Sequence, residues 1–322
     1  MSARTPSLDY SITRLLDYSI TRLLARSHVK VTPEDVAEVY GERNVRCVAA
    51  LWSPESGIMD ARGYMASLER DVLERGGEIR YNAKVVRGTL GKDGTRTHMV
   101  VEDAVEQTTY TLRADYVVNA AGLHARAVSL AFGIDPAEVP RIRFAKGHYF
   151  EPSSPAAFSK LSKKQLVYPI PVHGGLGIHA TIDVRGGLRF GPDVEFLAEA
   201  DEVDSIDYSV DPIKKHDFEA AISKYYIDED GDTGLRPGFA GVRPKAIGRD
   251  NKAINDFVIK ATPADRFIGL YGIESPGLTA SLAIGEYVVE LLSAMYASWG
   301  WTGRSAPHSS HPGMVENFIP GT

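Results

Sequence analysis

The stretch GIESPGLTASLAIGEY, residues 272–287, joins an apolar strand at Phe267–Ile273 to a long helix predicted from about Leu278 to Ser298. A Pro/Gly turn lies between them. Ala280, Ser281, Ala283 and Gly285 keep the start of that helix thin enough to pack closely on a sheet. The Ser275–Thr279 amides are then predicted first-turn donors without helical partners, suited to an anion or a carbonyl-rich ring. A second segment, ADYVVNAAG at 114–122, reads as a buried strand running through small residues into a glycine. Small residues let a flat cofactor or another backbone approach closely, and an ordinary strand-to-helix turn fits those letters equally well.

Outward from these two anchors the pattern alternates. Asp60 is placed to cap a helix with apolar positions Met65, Leu68, Val72 and Leu73, stopped by Gly76 and Gly77. A strand over about 78–90 and a hairpin of 97–102 with 108–113 follow, then a short helix ending near Gly133. Between 140 and 230 short strand-like runs (Gly147–Glu151, Leu166–Ile170, Leu176–Ile182, Gly187–Phe190) alternate with Pro- and Gly-rich turns, with one amphipathic helix near 214–226. A strand at Asp256–Lys260 precedes the closing strand–helix unit. An α/β layer at both ends around a β-rich block predicts one discontinuous domain interrupted by a second, with a ligand crevice between them.

Bulk composition removes whole classes. The 322 residues suffice for about two domains. With 43% hydrophobic and 24% charged residues the chain reads as globular. Thirty-six basic against 42 acidic residues give −6, the wrong sign for a general nucleic-acid binder. The single cysteine, Cys47, excludes a disulfide framework and a cysteine-rich metal site. His308 and His311 stand in a Pro/Ser tail and read as surface histidines, so no metal site is expected. No run reaches the roughly 18 apolar residues of a membrane span. GxSxG and GxxxxGK[ST] are absent. Arg243, in GVRP at 241–244, is either a paired structural arginine or, in a crevice, a bidentate grip for a carboxylate.

Nine segments in order carry a family resemblance: ALWSPESGIMD (50–60), GGEIRYNAKV (76–85), ADYVVNAAGLHA (114–125), KGHYF (146–150), YPIP (168–171), GLGIHATIDVRGGLRFGPD (175–193), GVRPKA (241–246), NDFVI (255–259) and GIESPGLTASLAIGEYV (272–288). Together they resemble the flavin-dependent oxidoreductases of the D-amino-acid oxidase superfamily, and within it the L-2-hydroxyglutarate dehydrogenases. The resemblance implies a Rossmann-like FAD-binding domain in two parts, 58–138 and 238–299, with an inserted antiparallel substrate domain at 139–237. It implies FAD held by Val85 through its backbone, by Ala121 and Gly122, and by Ser275, Pro276, Gly277, Leu278 and Thr279 facing the flavin ring. His179 falls at the substrate-facing histidine, Arg243 at the 2-carboxylate, and Lys146 and Tyr149 in the segment lining the same pocket. From its strand alone, His179 reads instead as a satisfied core histidine. The implied reaction is oxidation of a 2-hydroxy acid, L-2-hydroxyglutarate to 2-oxoglutarate, with an unspecified electron acceptor. An amino-acid oxidase is the neighbouring alternative.

The amino-terminal region departs from the family pattern. No GxGxxG occurs in the sequence, and DYSITRLL stands twice, at 9–16 and 17–24. These features predict a duplicated extension over 1–24, a remnant plus one substrate-domain strand over 25–57, and an N-terminally incomplete cofactor domain with uncovered apolar edges. A cofactor-deficient, non-catalytic interaction protein of the same family is the rival expectation. Arg4, Arg14, Arg22 and Arg26 give a faint transit-like signal that Asp9 and Asp17 weaken, so a bland extension is favoured; the family resemblance implies mitochondria for a eukaryotic chain and cytoplasm otherwise, and the residues after Gly300 read as a polar tail.

Overall fold

The computed structural model describes residues 29–298 apart from 39–43, 55, 92–94, 155–156, 159–160, 162–164, 172–176, 198–202, 227–233 and 263–265. The octapeptide repeat, the transit-like arginines, His308, His311 and the tail lie outside the described residues. β1 (Val29–Val31) pairs antiparallel with β2 (Ala50–Trp52), Val29 opposite Trp52. Between them α1 (Pro33–Glu38) starts in a reciprocal cap: Thr32 donates to the Asp35 carboxylate, and the Asp35 amide donates back to Thr32 Oγ1 at 3.2 Å. α2 (Ala61–Glu74) is capped by Asp60, which accepts from the Gly63 amide at 3.0 Å. It ends where Gly76 and Gly77 donate to Leu73 and Val72 carbonyls. Met65, Val72 and Leu73 are exposed and no α2 residue is buried, so its apolar stripe is uncovered among the described residues. The inner side is turned by Tyr64, whose hydroxyl meets Ser281 Oγ at 2.7 Å.

β3 (Ala83–Thr89), β4 (Thr97–Asp103) and β5 (Thr108–Ala114) form an antiparallel meander. Its tight turn is set by Asp103, which accepts the amides of Val105 and Glu106 at 2.9 and 3.0 Å. β3 begins later than the sequence suggested, because residues 78–82 carry no ladder. β6 (Val117–Asn119) then leads through a 3-10 turn at Gly122–His124 into α3 (Ala125–Ala131).

The middle of the chain builds a five-stranded sheet from β7 (Arg141–Pro152), β8 (His179–Ile182), β9 (Leu188–Gly191), β10 (Glu195–Phe196) and β11 (Leu235–Ile247). β11 runs along one side of β7, and β10 and β9 share the other. One face packs on α4 (Lys215–Ile222), where Phe150, Phe190, Phe218 and Ile222 form an aromatic-rich core. The Phe150 and Phe218 rings lie 4.6 Å apart. Each such ring contributes roughly 2–3 kcal/mol of burial. The run at 166–170 makes only the bridge Val167–Ala180, and the expected domain limit at 237/238 falls inside β11, so Arg243 sits on the same sheet as Tyr149.

β12 (Val258–Thr262) pairs antiparallel with β13 (Phe267–Tyr271), and β13 pairs parallel with β6, Phe267 opposite Val117. Because β6 and β13 run the same way, the turns leaving them emerge at one edge of the sheet. That edge is where open α/β sheets take their ligands. α5 (Ser281–Ser298) returns across the sheet, packing Ile284, Val288, Leu291, Leu292 and Met295 on Ile268 and Leu270. The architecture is therefore mixed α/β with several antiparallel sheets. No described helix is long and apolar enough to cross a membrane.

Candidate functional site

The turn after β6 is shaped from within. Asn119 is 3% exposed, and its amide donates to the Ala125 carbonyl at 2.7 Å and to Ser129 Oγ at 2.9 Å. Its Oδ1 accepts the Ala121 amide at 3.2 Å, while Ser129 Oγ meets the Tyr271 hydroxyl at 2.7 Å. One buried amide thus ties the turn to α3 and β13. Gly122 adopts φ +58°, a left-handed conformation that costs a Cβ-bearing residue energy, and nothing lies within 4 Å of where its Cβ would be. Ala121 and Gly122 are exposed. Val85 turns its side chain toward the cluster of Val117, Phe132 and Phe267, so only its backbone is left for a ligand.

The turn after β13 is not yet helix. Residues 275–280 are turns and α5 starts at Ser281, three residues beyond the predicted start. Gly277 donates to the Glu274 carbonyl, Ala280 to Pro276 at 3.0 Å, and Thr279 Oγ1 to the same Pro276 carbonyl at 3.0 Å. Among the described residues the Leu278 and Thr279 amides have no backbone acceptor. Ser275, Pro276, Leu278 and Thr279 are exposed, while Gly277 is packed on Ile273 and Glu274. Of the donors expected over 275–279, those of Leu278 and Thr279 are presented by this turn, whereas the Gly277 amide is spent on Glu274 and Pro276 has none.

The five-stranded sheet has a second, open face. Phe150, Ala180, Ile182, Leu188 and Phe190 point to α4, so strand alternation and register turn Tyr149, Glu151, His179, Thr181, Arg189, Arg243 and Lys245 the other way. Tyr149 stacks on Phe239 with centroids 4.4 Å apart and planes 9° from parallel. Burial pushes its phenol up in pKa, and the nearby Arg243 guanidinium opposes that. Tyr168 meets the His179 ring edge-on at 4.1 Å. Arg189 is held by Asp183 at 2.9 Å. The Asp183 carboxyl is lowered in pKa, first by the Gly187 amide and further by the Arg185 amide and Arg189. Glu274 reaches across from the β13 turn, 2.7 Å from Lys245 Nζ and 3.9 Å from Arg243 Nη1. Tyr149, His179 and Arg243 therefore share one face, and Glu274 links the Arg243 end of it to the turn at 275–279.

Lys146 does not join them. It lies opposite Val242 and Glu195 on β7's other parity, with His148, and is 7% exposed. On that side His148, 1% exposed, meets Asp193 at 2.8 Å, and Lys214 bridges Asp193 and Glu195 at 3.1 and 3.0 Å. The sequence reading missed Glu274, Lys245, Phe239 and Tyr168 as site neighbours. Strand alternation from Arg243 would have found Lys245; the other three depend on contacts far apart in sequence.

The two exposed, small-residue turns, with open space over Gly122, fit a flat cofactor at the sheet edge. Comparisons agree on what such a cofactor is in related proteins. The mitochondrial L-2-hydroxyglutarate dehydrogenase of Arabidopsis thaliana is 38% identical over 283 residues, covering 77% of this chain and 56% of that protein. The Escherichia coli K12 L-2-hydroxyglutarate dehydrogenase is 26% identical over 296 residues, covering 82% and 66%. The chain thus spans somewhat over half the length of the plant relative. Among solved structures, L-proline dehydrogenase of P. horikoshii superposes with TM-score 0.65 at 16% identity, covering 89% of this chain and 69% of that one. The FAD-bound L-alpha-glycerophosphate oxidase of Mycoplasma pneumoniae gives 0.63 at 20% identity, covering 83% and 65%. At these identities the structures speak for the fold. The family model for FAD dependent oxidoreductases (DAO) matches residues 6–291, and the chain belongs to that family.

Proposed function

We propose that the protein takes part in FAD-dependent oxidation of a 2-hydroxy acid, with L-2-hydroxyglutarate as the substrate and 2-oxoglutarate as the product. The observation that carries this reading is the seating of Arg243 on the open sheet face, 3.9 Å from Glu274, the residue that opens the 275–279 turn. A carboxylate held by Arg243 therefore lies next to the segment whose exposed amides suit a flavin carbonyl. FAD would be held by the backbone at Val85, by Ala121 and Gly122, and by residues 275–279. When bound, it supplies the acceptor for the substrate's hydride.

The chain's own groups do the rest. Arg243 fixes the 2-carboxylate through its planar fork of donors, which orients the adjacent carbinol carbon. His179, on the same face, accepts the hydroxyl proton as its neutral imidazole while the carbonyl forms. Tyr149, flattened on Phe239 and kept protonated by burial, closes the apolar side of the pocket and excludes water.

The test is spectroscopic. Purified protein supplied with FAD should show the oxidised-flavin band near the visible blue, and anaerobic L-2-hydroxyglutarate should bleach it. Peroxide formed from an amino acid in air, with no response to hydroxy acids, would favour the amino-acid oxidase instead. Colourless protein that cannot be reconstituted would leave the non-catalytic reading standing.

A further inference from the structure

Two cations project from neighbouring same-face positions of β11, Arg243 opposite Ala145 and Lys245 opposite Arg143. Both side chains are partly shielded, at 28% and 36% exposure, and one carboxylate serves both: Glu274, 17% exposed, places Oε1 2.7 Å from Lys245 and Oε2 3.9 Å from Arg243. The contacts are unequal. Lys245 is hydrogen-bonded to Glu274, whereas Arg243 stands 3.9 Å from it and spends one donor on the Tyr149 hydroxyl, keeping the rest of its fork for a ligand. Residues two apart on a strand are about 6.6 Å apart along it. A five-carbon diacid spans a similar distance between its terminal carboxylates.

We propose that Lys245 is the second carboxylate-binding cation of the site and that Glu274 is its built-in counter-carboxylate. Together they set discrimination between di- and monocarboxylates. This deepens the reading of Arg243 as anchor and rests on it. With no ligand, Glu274 offsets one of two like charges that repel on one strand and leaves a net positive charge for a ligand. A monocarboxylate needs Arg243 alone and leaves the Lys245–Glu274 pair intact. A dicarboxylate takes its second contact from Lys245 and must displace Glu274, which stays nearby as a like charge. Part of the binding energy of the second carboxylate is thereby offset. Glu274 is a positioning residue, acting through Lys245, and its backbone carbonyl holds Gly277 at the start of the exposed turn.

Non-reacting analogues separate this from catalysis. Glutarate and butyrate are titrated calorimetrically, at low salt, into the full chain and into the Glu274→Gln, Lys245→Met and Arg243→Met variants, with thermal melts confirming folding. The expected result is tighter binding of glutarate than butyrate by the unaltered chain. Glu274→Gln should raise that preference roughly tenfold, as loss of one like charge in a part-shielded site implies. Lys245→Met should bring the preference close to one while butyrate still binds. A preference unchanged in Lys245→Met, or unmoved in Glu274→Gln, overturns the proposal and leaves the Arg243 anchor standing. Butyrate and glutarate binding that is untouched in Arg243→Met overturns the anchor, and this inference with it.

Discussion

Replacing Asn119 by alanine should destabilise the protein by about 2–4 kcal/mol, because three hydrogen bonds vanish from a site 3% exposed. Two are donated by its amide, at 2.7 Å to Ala125 O and 2.9 Å to Ser129 Oγ, and the third is accepted from Ala121 at 3.2 Å. A net value of about 1 kcal/mol each gives the middle of that range. The Ala121 amide, left without its acceptor on the inner side of the turn, adds to it. Ser129 keeps its contact to the Tyr271 hydroxyl, which limits the loss. The assay is urea unfolding followed by circular dichroism, with a second series in Ser129→Ala and in the double variant. Coupling of about 1 kcal/mol between the two positions is expected for directly bonded partners. FAD affinity in the reconstituted protein should fall in Asn119→Ala as well, since the bond to Ala121 shapes the turn that ends at Gly122. A loss below about 0.5 kcal/mol, or additive single losses, would refute the reasoning that this amide organises the turn.

Three further substitutions follow from single observations. Among the described residues the buried Tyr225 hydroxyl has no hydrogen-bond partner, and its phenol pKa is raised by burial, so Tyr225→Phe should be neutral or stabilising by about 1 kcal/mol in urea melts. The sign with pH is fixed too: the folded phenol stays protonated while the unfolded one ionises near pH 10, so stability falls as pH rises above about 10, less steeply in Tyr225→Phe. Gly122→Ala meets open space but a φ of +58°, so the cost should be backbone strain alone, about 1 kcal/mol, with normal secondary structure by circular dichroism. Gly191→Ala should cost about 3 kcal/mol or more, since φ is +138° and the new Cβ would stand 2.6 Å from His148 O; an unchanged urea midpoint would contradict the β9 geometry that places His179.

What the sequence disclosed and what it hid follow from the kinds of signal involved. The closing strand and helix were legible because Ile284, Val288, Leu291 and Met295 repeat at helical spacing and all land on β13. The helix start was misplaced because Pro276 and Gly277 allow either a helix first turn or a separate one, and the bond from Gly277 to Glu274 chooses the latter. β7 and β11, the two longest strands, were harder. Arg143, Lys146, His148, Arg243 and Lys245 interrupt their apolar letters, although half of β7 is buried. A buried strand that carries an ion cluster on one face and a polar site on the other has no clean two-residue hydrophobic rhythm. The uncovered stripe of α2 shows the converse: Met65, Val72 and Leu73 have helical spacing yet meet no core among the described residues.

Lys146 and Tyr149 make the deeper point about site prediction. Both stand in KGHYF, and a reading by segment assigns both to one pocket. Three residues apart, they would share a face on a helix, but on β7 they cannot. Tyr149 goes to the open face with Arg243; Lys146 goes to the face where His148 meets Asp193 and Lys214 bridges Asp193 and Glu195. The same alternation that removes Lys146 from the pocket supplies a replacement cation, Lys245, two residues beyond Arg243 and in phase with it. On the proposed reading the second positive charge therefore comes from β11 and not from β7. There Glu274 already binds it, at the end of the strand whose outgoing turn faces the cofactor edge. On that reading, charge recognition at Lys245 and the shape of the 275–279 turn meet at one residue, whose carboxylate binds Lys245 and whose backbone carbonyl holds Gly277.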